Sequence, residues 1–213
     1  MKLIKAVSVA VGTGILAASA VAQAQAPSPY YFRVDTGYSW TTDSDLAGKA
    51  GSVGMPAVPM QEGGTAWIAS IGAGYRFAKE FRGDVVGSYR GGYGWGETGA
   101  NGNYYSGSYA SWSLLANGYV DMPISNRVTG YLGAGAGMSY NQSDALVNVS
   151  TGTVFGGDNK YNFAWNAMVG ISVPVTNSLT VDVGYRYIDL GFVETSGSNA
   201  KLRANELQFG LRF

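Results

Sequence analysis

The stretch Leu179-Thr180-Val181-Asp182-Val183-Gly184-Tyr185-Arg186-Tyr187 reads with a period of two. One face carries Leu179, Val181, Val183, Tyr185 and Tyr187, and the other Thr180, Asp182, Gly184 and Arg186. Such alternation marks a β-strand standing between two different environments. The chain closes on the same scheme, with Leu207, Phe209, Leu211 and Phe213 opposite Glu206, Gln208, Gly210 and Arg212. Upstream, Trp67, Ala69, Ile71, Ala73, Tyr75 and Phe77 oppose Ser70, Gly72, Gly74 and Arg76. Phe163, Trp165, Ala167, Val169, Ile171 and Val173 likewise oppose Asn162, Asn166 and Ser172.

Between strands the chain alternates short and long connections. Short turns fall at Ala78-Lys79-Glu80, Pro123-Ile124-Ser125-Asn126 and Pro174-Val175-Thr176-Asn177. Proline has no donor for a sheet ladder and asparagine tolerates turn geometry, so both suit strand ends. Long polar segments run over residues 41–64, 91–107, 141–160 and 191–200. Three short turns and four long loops predict an all-β, eight-stranded antiparallel up-and-down barrel, with short periplasmic turns and long extracellular loops.

The aromatic residues say which face is outside. Trp40, Trp67, Tyr89, Trp112, Tyr140, Trp165 and Tyr187 fall at the loop ends of the apolar face. Phe32, Phe77, Phe81 and Phe213 fall at the turn ends. Two aromatic girdles around an aliphatic band suit a bilayer, whereas a soluble core has no cause to sort aromatics by depth. The apolar face is therefore expected to meet lipid, and the barrel to be transmembrane.

The inward face is then charged. It is expected to carry Arg33, Asp35, Arg76, Arg82, Asp84, Arg90, Asp121, Asp182, Arg186, Glu206 and Arg212. Buried charges demand partners, so Arg–carboxylate pairs are expected. An eight-stranded lumen is just wide enough for side chains to fill, which suggests a plug. Gly133, Gly135 and Gly137 also point inward, leaving room for long arginines or for a thin water path. Both stay open.

The N-terminus reads as a secretory leader over residues 1–24. Lys2 and Lys5 precede an apolar run from Ala6 to Ala22, and small residues at Ala22 and Ala24 offer a cleavage site. The remaining residues, 25–213, form the barrel.

Composition excludes much else. Among 213 residues there is no cysteine and no histidine, which removes disulfide scaffolds, thiol chemistry, cysteine-ligated metals and imidazole-based catalysis. No enzymatic activity, cofactor or metal is expected. A formal net charge of zero argues against a nucleic-acid partner. Gly94-Trp95-Gly96-Glu97-Thr98-Gly99 spells a dinucleotide-binding motif, but a glycine-rich loop follows where the chemistry needs a helix.

Gly74-Tyr75-Arg76-Phe77, the run Val181-Asp182-Val183-Gly184-Tyr185-Arg186-Tyr187-Ile188-Asp189-Leu190-Gly191 and the terminal Phe213 together resemble the outer-membrane protein β-barrel-domain family. That family includes opacity-protein-like and OmpA-barrel-like surface proteins and the porin-like surface antigens of alphaproteobacteria. The resemblance implies a bacterial outer-membrane location in contact with lipid and lipopolysaccharide. It also implies that Leu207, Phe209, Leu211 and Phe213 present the signal read by the barrel-assembly machinery. It does not extend to a peptidoglycan-binding segment, so wall tethering is not expected. Three roles remain. The barrel serves envelope integrity or surface interaction with a charge-filled lumen, or it is a narrow porin. Otherwise it is an adhesin binding a surface ligand through loop aromatics such as Tyr93, Trp95, Tyr104 and Tyr105.

Overall fold

In a computed structural model, the described residues are 28–41, 64–98, 102–144, 146–155, 159–195 and 198–213. The expected leader over 1–24 and nearly all of the first long loop lie outside them. Eight strands build the wall: β1 (Tyr30–Thr41), β2 (Thr65–Arg76), β3 (Phe81–Thr98), β4 (Tyr104–Ser125), β5 (Val128–Ser143), β8 (Asn159–Pro174), β9 (Thr180–Thr195) and β10 (Ser198–Arg212). Two short strands, β6 (Leu146–Asn148) and β7 (Thr153–Phe155), form a hairpin outside it.

Each wall strand pairs antiparallel with its neighbours, in the order β3-β2-β1-β10-β9-β8-β5-β4, and β3 pairs with β4 to close the ring. Closure leaves no sheet edge in the wall, which a bilayer demands because it offers backbone groups no other partner. At the β1–β10 seam, Phe32 N donates to Phe213 O at 2.7 Å and Phe213 N to Phe32 O at 3.0 Å.

The barrel is inverted relative to a soluble one. Val34, Ile71, Val85, Leu114, Leu132, Val169 and Leu211 are exposed on the outer wall, while Arg33, Asp35, Arg82, Asp84, Arg90, Asp182, Arg186 and Glu206 are buried inside. Ile71, 69% exposed, lies opposite Val34 on β1 and Gly87 on β3. The apolar belt on β2 runs from Trp67 to Tyr75. At ~3.3 Å per residue and ~40° of tilt, that is roughly 20 Å of height, close to the apolar band of such barrels.

Both girdles form groups of ring contacts on the outer face. At the loop end, Trp67 meets Tyr89 at 5.3 Å, Tyr89 meets Trp112 at 4.5 Å, Tyr140 meets Tyr161 at 4.6 Å and Trp165 meets Tyr187 at 5.6 Å. Trp40 stands 6.3 Å from Tyr185. At the turn end, Tyr30 meets Tyr75 at 4.9 Å and Tyr75 meets Phe77 at 5.2 Å, beside exposed Phe32, Phe81 and Phe213.

The connections differ from the sequence reading in two ways. The turn placed at Pro123–Asn126 is only Asn126–Arg127, because β4 runs on to Ser125 through a bulge between Pro123 and Ser125. The long loops are shorter than expected: Gly91–Thr98, Tyr104–Gly107 and Asn141–Ser143 are strand, as are Gly191–Thr195 and Ser198–Ala200. These segments carry the ladder above the girdle, where water replaces lipid on the outer face and that face no longer needs an apolar row. The loop after β5 also holds the β6–β7 hairpin, joined to β4 by Tyr105 opposite Asn148 and Ser106 opposite Val147.

Inward tyrosines lie flat on inward glycines. The Tyr131 ring covers Gly170 and Gly184, and Tyr119 covers Gly133. A Cβ at Gly170 would stand 2.5 Å from Tyr131 Cζ, whereas nothing lies within 4 Å of one at Gly118. Gly170→Ala is therefore expected to destabilise the barrel by about 1–3 kcal/mol through overpacking, and Gly118→Ala to be close to neutral. Urea midpoints of the two refolded variants check the contrast.

Candidate functional site

The lumen is filled by layers of polar side chains. Near the short turns, Arg33 lies 2.7 Å from Asp35 through Nη2 and 3.0 Å from Asp84 through Nη1. Asp84 also accepts from Tyr31, Asn117 and Tyr119 at 3.2, 2.8 and 3.1 Å. Arg82 Nε donates to both oxygens of Asp121 at 3.0 Å, and its guanidinium stacks 3.8 Å above the Tyr119 ring. Arg212 is 3.3 Å from Asp182, which also accepts from Ser172 at 2.5 Å. Three arginines thus share four aspartates here.

Further toward the loops, Glu206 is fully buried between two arginines. Arg90 Nε stands 2.5 Å from its Oε1 and Arg186 Nε 2.6 Å from its Oε2. Gln208 Nε2 donates to Oε2 at 3.1 Å and Ser39 to Oε1 at 3.4 Å. Beyond this layer Ile188, Leu190, Leu202 and Ala204 pack with Leu115 and Ala164 as an apolar cap. Layers of charge pairs are thus followed by an apolar cluster.

The structure corrects two placements. Arg76 shares the inward parity of β2 but is exposed at the strand's last residue, outside the buried network. Parity fixes a side chain's face and not its depth. Tyr93, considered as a loop aromatic, is 0% exposed and points inward. A bulge between Arg90 and Tyr93, with Gly92 at a φ of 89°, turns the strand by one residue there. Tyr93 then stacks on Tyr109 at 4.8 Å and shares a 2.5 Å hydrogen bond with Ser39. Of the other loop aromatics, Tyr104 is 45% exposed, and the side chains of Trp95 and Tyr105 lie outside the description.

Leu207, Phe209, Leu211 and Phe213 all face outward beside the β1–β10 seam. Tyr31, Tyr119, Tyr131 and Asn117 also face inward, beyond the charged set, and Asn166, on the polar face that the alternation predicts, donates to Asn117 at 2.9 Å. Their signal was available, since Tyr31 shares parity with Arg33 and Asp35, and Tyr119 with Asp121. Asp189 was missed too; it is buried against Lys201 at 3.0 Å and Arg203 at 3.4 Å. Among the described residues, no cluster of His, Cys, Asp and Glu is arranged to hold a metal ion.

Known proteins share this architecture. A family model described as outer membrane protein beta-barrel domain matches residues 8–213. An uncharacterized protein of Brucella abortus is 30% identical over 152 residues, which is 61% of this chain and 52% of that protein. The chain spans about half the length of the Brucella relatives it matches. A Rickettsia felis protein named as a candidate adhesin is 25% identical over 203 residues, 86% of this chain and 87% of its own length. Among solved structures, that of neisserial surface protein A superposes with a TM-score of 0.56 at 20% identity, covering 88% of this chain and 98% of that one. That likeness is one of fold.

Proposed function

The chain belongs to the outer membrane protein beta-barrel domain family, and from that premise we propose a surface protein whose lumen is a plug and whose interactions are made above the membrane. It resides in the bacterial outer membrane. A leader over residues 1–24 delivers it, and the outward row Leu207, Phe209, Leu211 and Phe213 addresses it to the assembly machinery. Lipid and lipopolysaccharide then surround its apolar belt.

The observation that carries this reading is the filled lumen. Arg82, Arg90, Glu206, Leu190 and Leu202 are all buried within it. Side chains of such size in an eight-stranded barrel leave the wall little to conduct. Among the described residues, what remains accessible is the sheet that rises above the girdle, with the β6–β7 hairpin carrying exposed Val149 and Val154 beside Tyr104. The resemblance to a candidate adhesin supports placing surface interaction there.

Conductance of the refolded chain in planar bilayers tests the plug. The expected result is a stably inserted, silent barrel. Reproducible steps whose size shifts on charge reversal at Arg82 or Asp182 would establish a narrow porin and make the lumen the functional site.

A further inference from the structure

Glu206 is a single carboxylate held by two guanidiniums, and that ratio leaves a charge unaccounted for. Arg90 and Glu206 are each 0% exposed, and Arg186 is 3% exposed. Arg90 Nε takes one oxygen of Glu206 at 2.5 Å and Arg186 Nε takes the other at 2.6 Å, so both guanidiniums share one carboxylate. Arg90 Nη1 is satisfied by Ser113 at 2.9 Å. Each arginine keeps a buried Nη2 with no partner among the described residues; Arg82 and Arg212 also keep such donors, but in a layer where carboxylates outnumber guanidiniums.

Among the described residues, the neighbours do not supply the missing negative charge. Gln208, Ser39, Ser113 and Tyr93 complete the layer and are neutral. Toward the loops, Asp189 is shared by Lys201 and Arg203. Toward the turns, Asp35, Asp84, Asp121 and Asp182 face Arg33, Arg82 and Arg212, so the excess carboxylate sits in a different layer with its own donors. Among the described residues, this layer therefore holds one uncompensated positive charge out of water. Buried charge of that kind is costly, and so are buried donors left without acceptors.

We infer that the Nη2 groups of Arg90 and Arg186 hold a small inorganic monovalent anion, of chloride size, as the second counter-charge beside Glu206. One negative charge balances the layer, and a monatomic ion accepts from both donors without needing donors of its own. A divalent anion would overcompensate a layer short of one negative charge. The inference rests on the lumen and is independent of what the loops bind.

The test uses the full chain refolded in detergent, with chloride or bromide replacing gluconate at constant ionic strength. The thermal midpoint is expected to rise saturably with halide, by a few degrees, as for a ligand that binds the folded state alone. Arg186→Gln leaves Arg90 and Glu206 as a balanced pair and should remove the dependence. Crystals grown in bromide should show an anomalous peak between the two Nη2 atoms. Midpoints that do not distinguish halide from gluconate overturn the inference, as does a halide dependence that survives in Arg186→Gln. If that variant does not fold, the bromide peak in the unsubstituted chain decides: its presence supports the site and its absence overturns it.

Discussion

Glu206→Gln should be among the most damaging conservative substitutions in the barrel. The amide keeps the shape of the side chain and removes its charge, leaving Arg90 and Arg186 buried beside a neutral group. Stranding a buried charge by neutralising its partner costs about 3–5 kcal/mol, far more than an exposed ion pair contributes. The expected readout is a large fall in the urea midpoint of the refolded barrel, or no heat-modifiable band at all on detergent gels. Replacing the whole triad by Arg90→Met, Arg186→Met and Glu206→Leu together should recover most of the loss, because nothing charged then remains to be solvated. A small effect of Glu206→Gln alone would mean that water reaches these arginines, and the plug would have to be read as a hydrated channel.

That expectation depends on side-chain placement, and the sequence supplied placement unevenly. Alternation in residues 179–187 and 206–213 sorts side chains into two faces because a pleated strand has a period of two. The girdles were legible for the same reason, since Trp67, Tyr89, Trp112 and Trp165 carry depth in their position relative to the turns. Arg76 shows where this ends. Its face was readable, but its depth depends on where the rim of the barrel falls, and the rim is set by pairing with β1 and β3.

Bulges were hidden more deeply. The run Arg90-Gly91-Gly92-Tyr93 gives no sign of which glycine takes positive φ, yet Gly92 does, and Tyr93 enters the lumen as a result. A bulge between Lys201 and Arg203, opposite Gly191 at a φ of 78°, likewise brings Asp189 into burial. The inward tyrosines escaped for a different reason. In a membrane barrel an aromatic residue reads as girdle, and only parity distinguishes Tyr31 and Tyr119 from Phe32 and Val120. The ladder above the membrane was illegible because an outer face in water no longer needs an apolar row, which removes the alternation that reveals a strand. Only cross-strand pairing, as of Trp95 with Gly107 and Glu97 with Tyr105, shows it.

The inverted arrangement makes the outer wall as sensitive to charge as the lumen is to losing it. Ile71 lies four residues from Trp67 and four from Tyr75, so its side chain meets lipid midway between the girdles. Ile71→Arg should therefore cost about 2–4 kcal/mol, the range for a cation at the midplane of such a barrel. The reasoning is distinct from that for Glu206, since no partner is lost and the whole cost lies in placing a guanidinium among acyl chains. Val154→Arg is the matched control, because Val154 is equally apolar and exposed but stands on β7 above the girdle, in water. Refolding midpoints in lipid vesicles should separate the two variants by most of the predicted cost. Equal midpoints would mean that the belt around Ile71 does not face lipid, and the assignment of the outer face would fail with it.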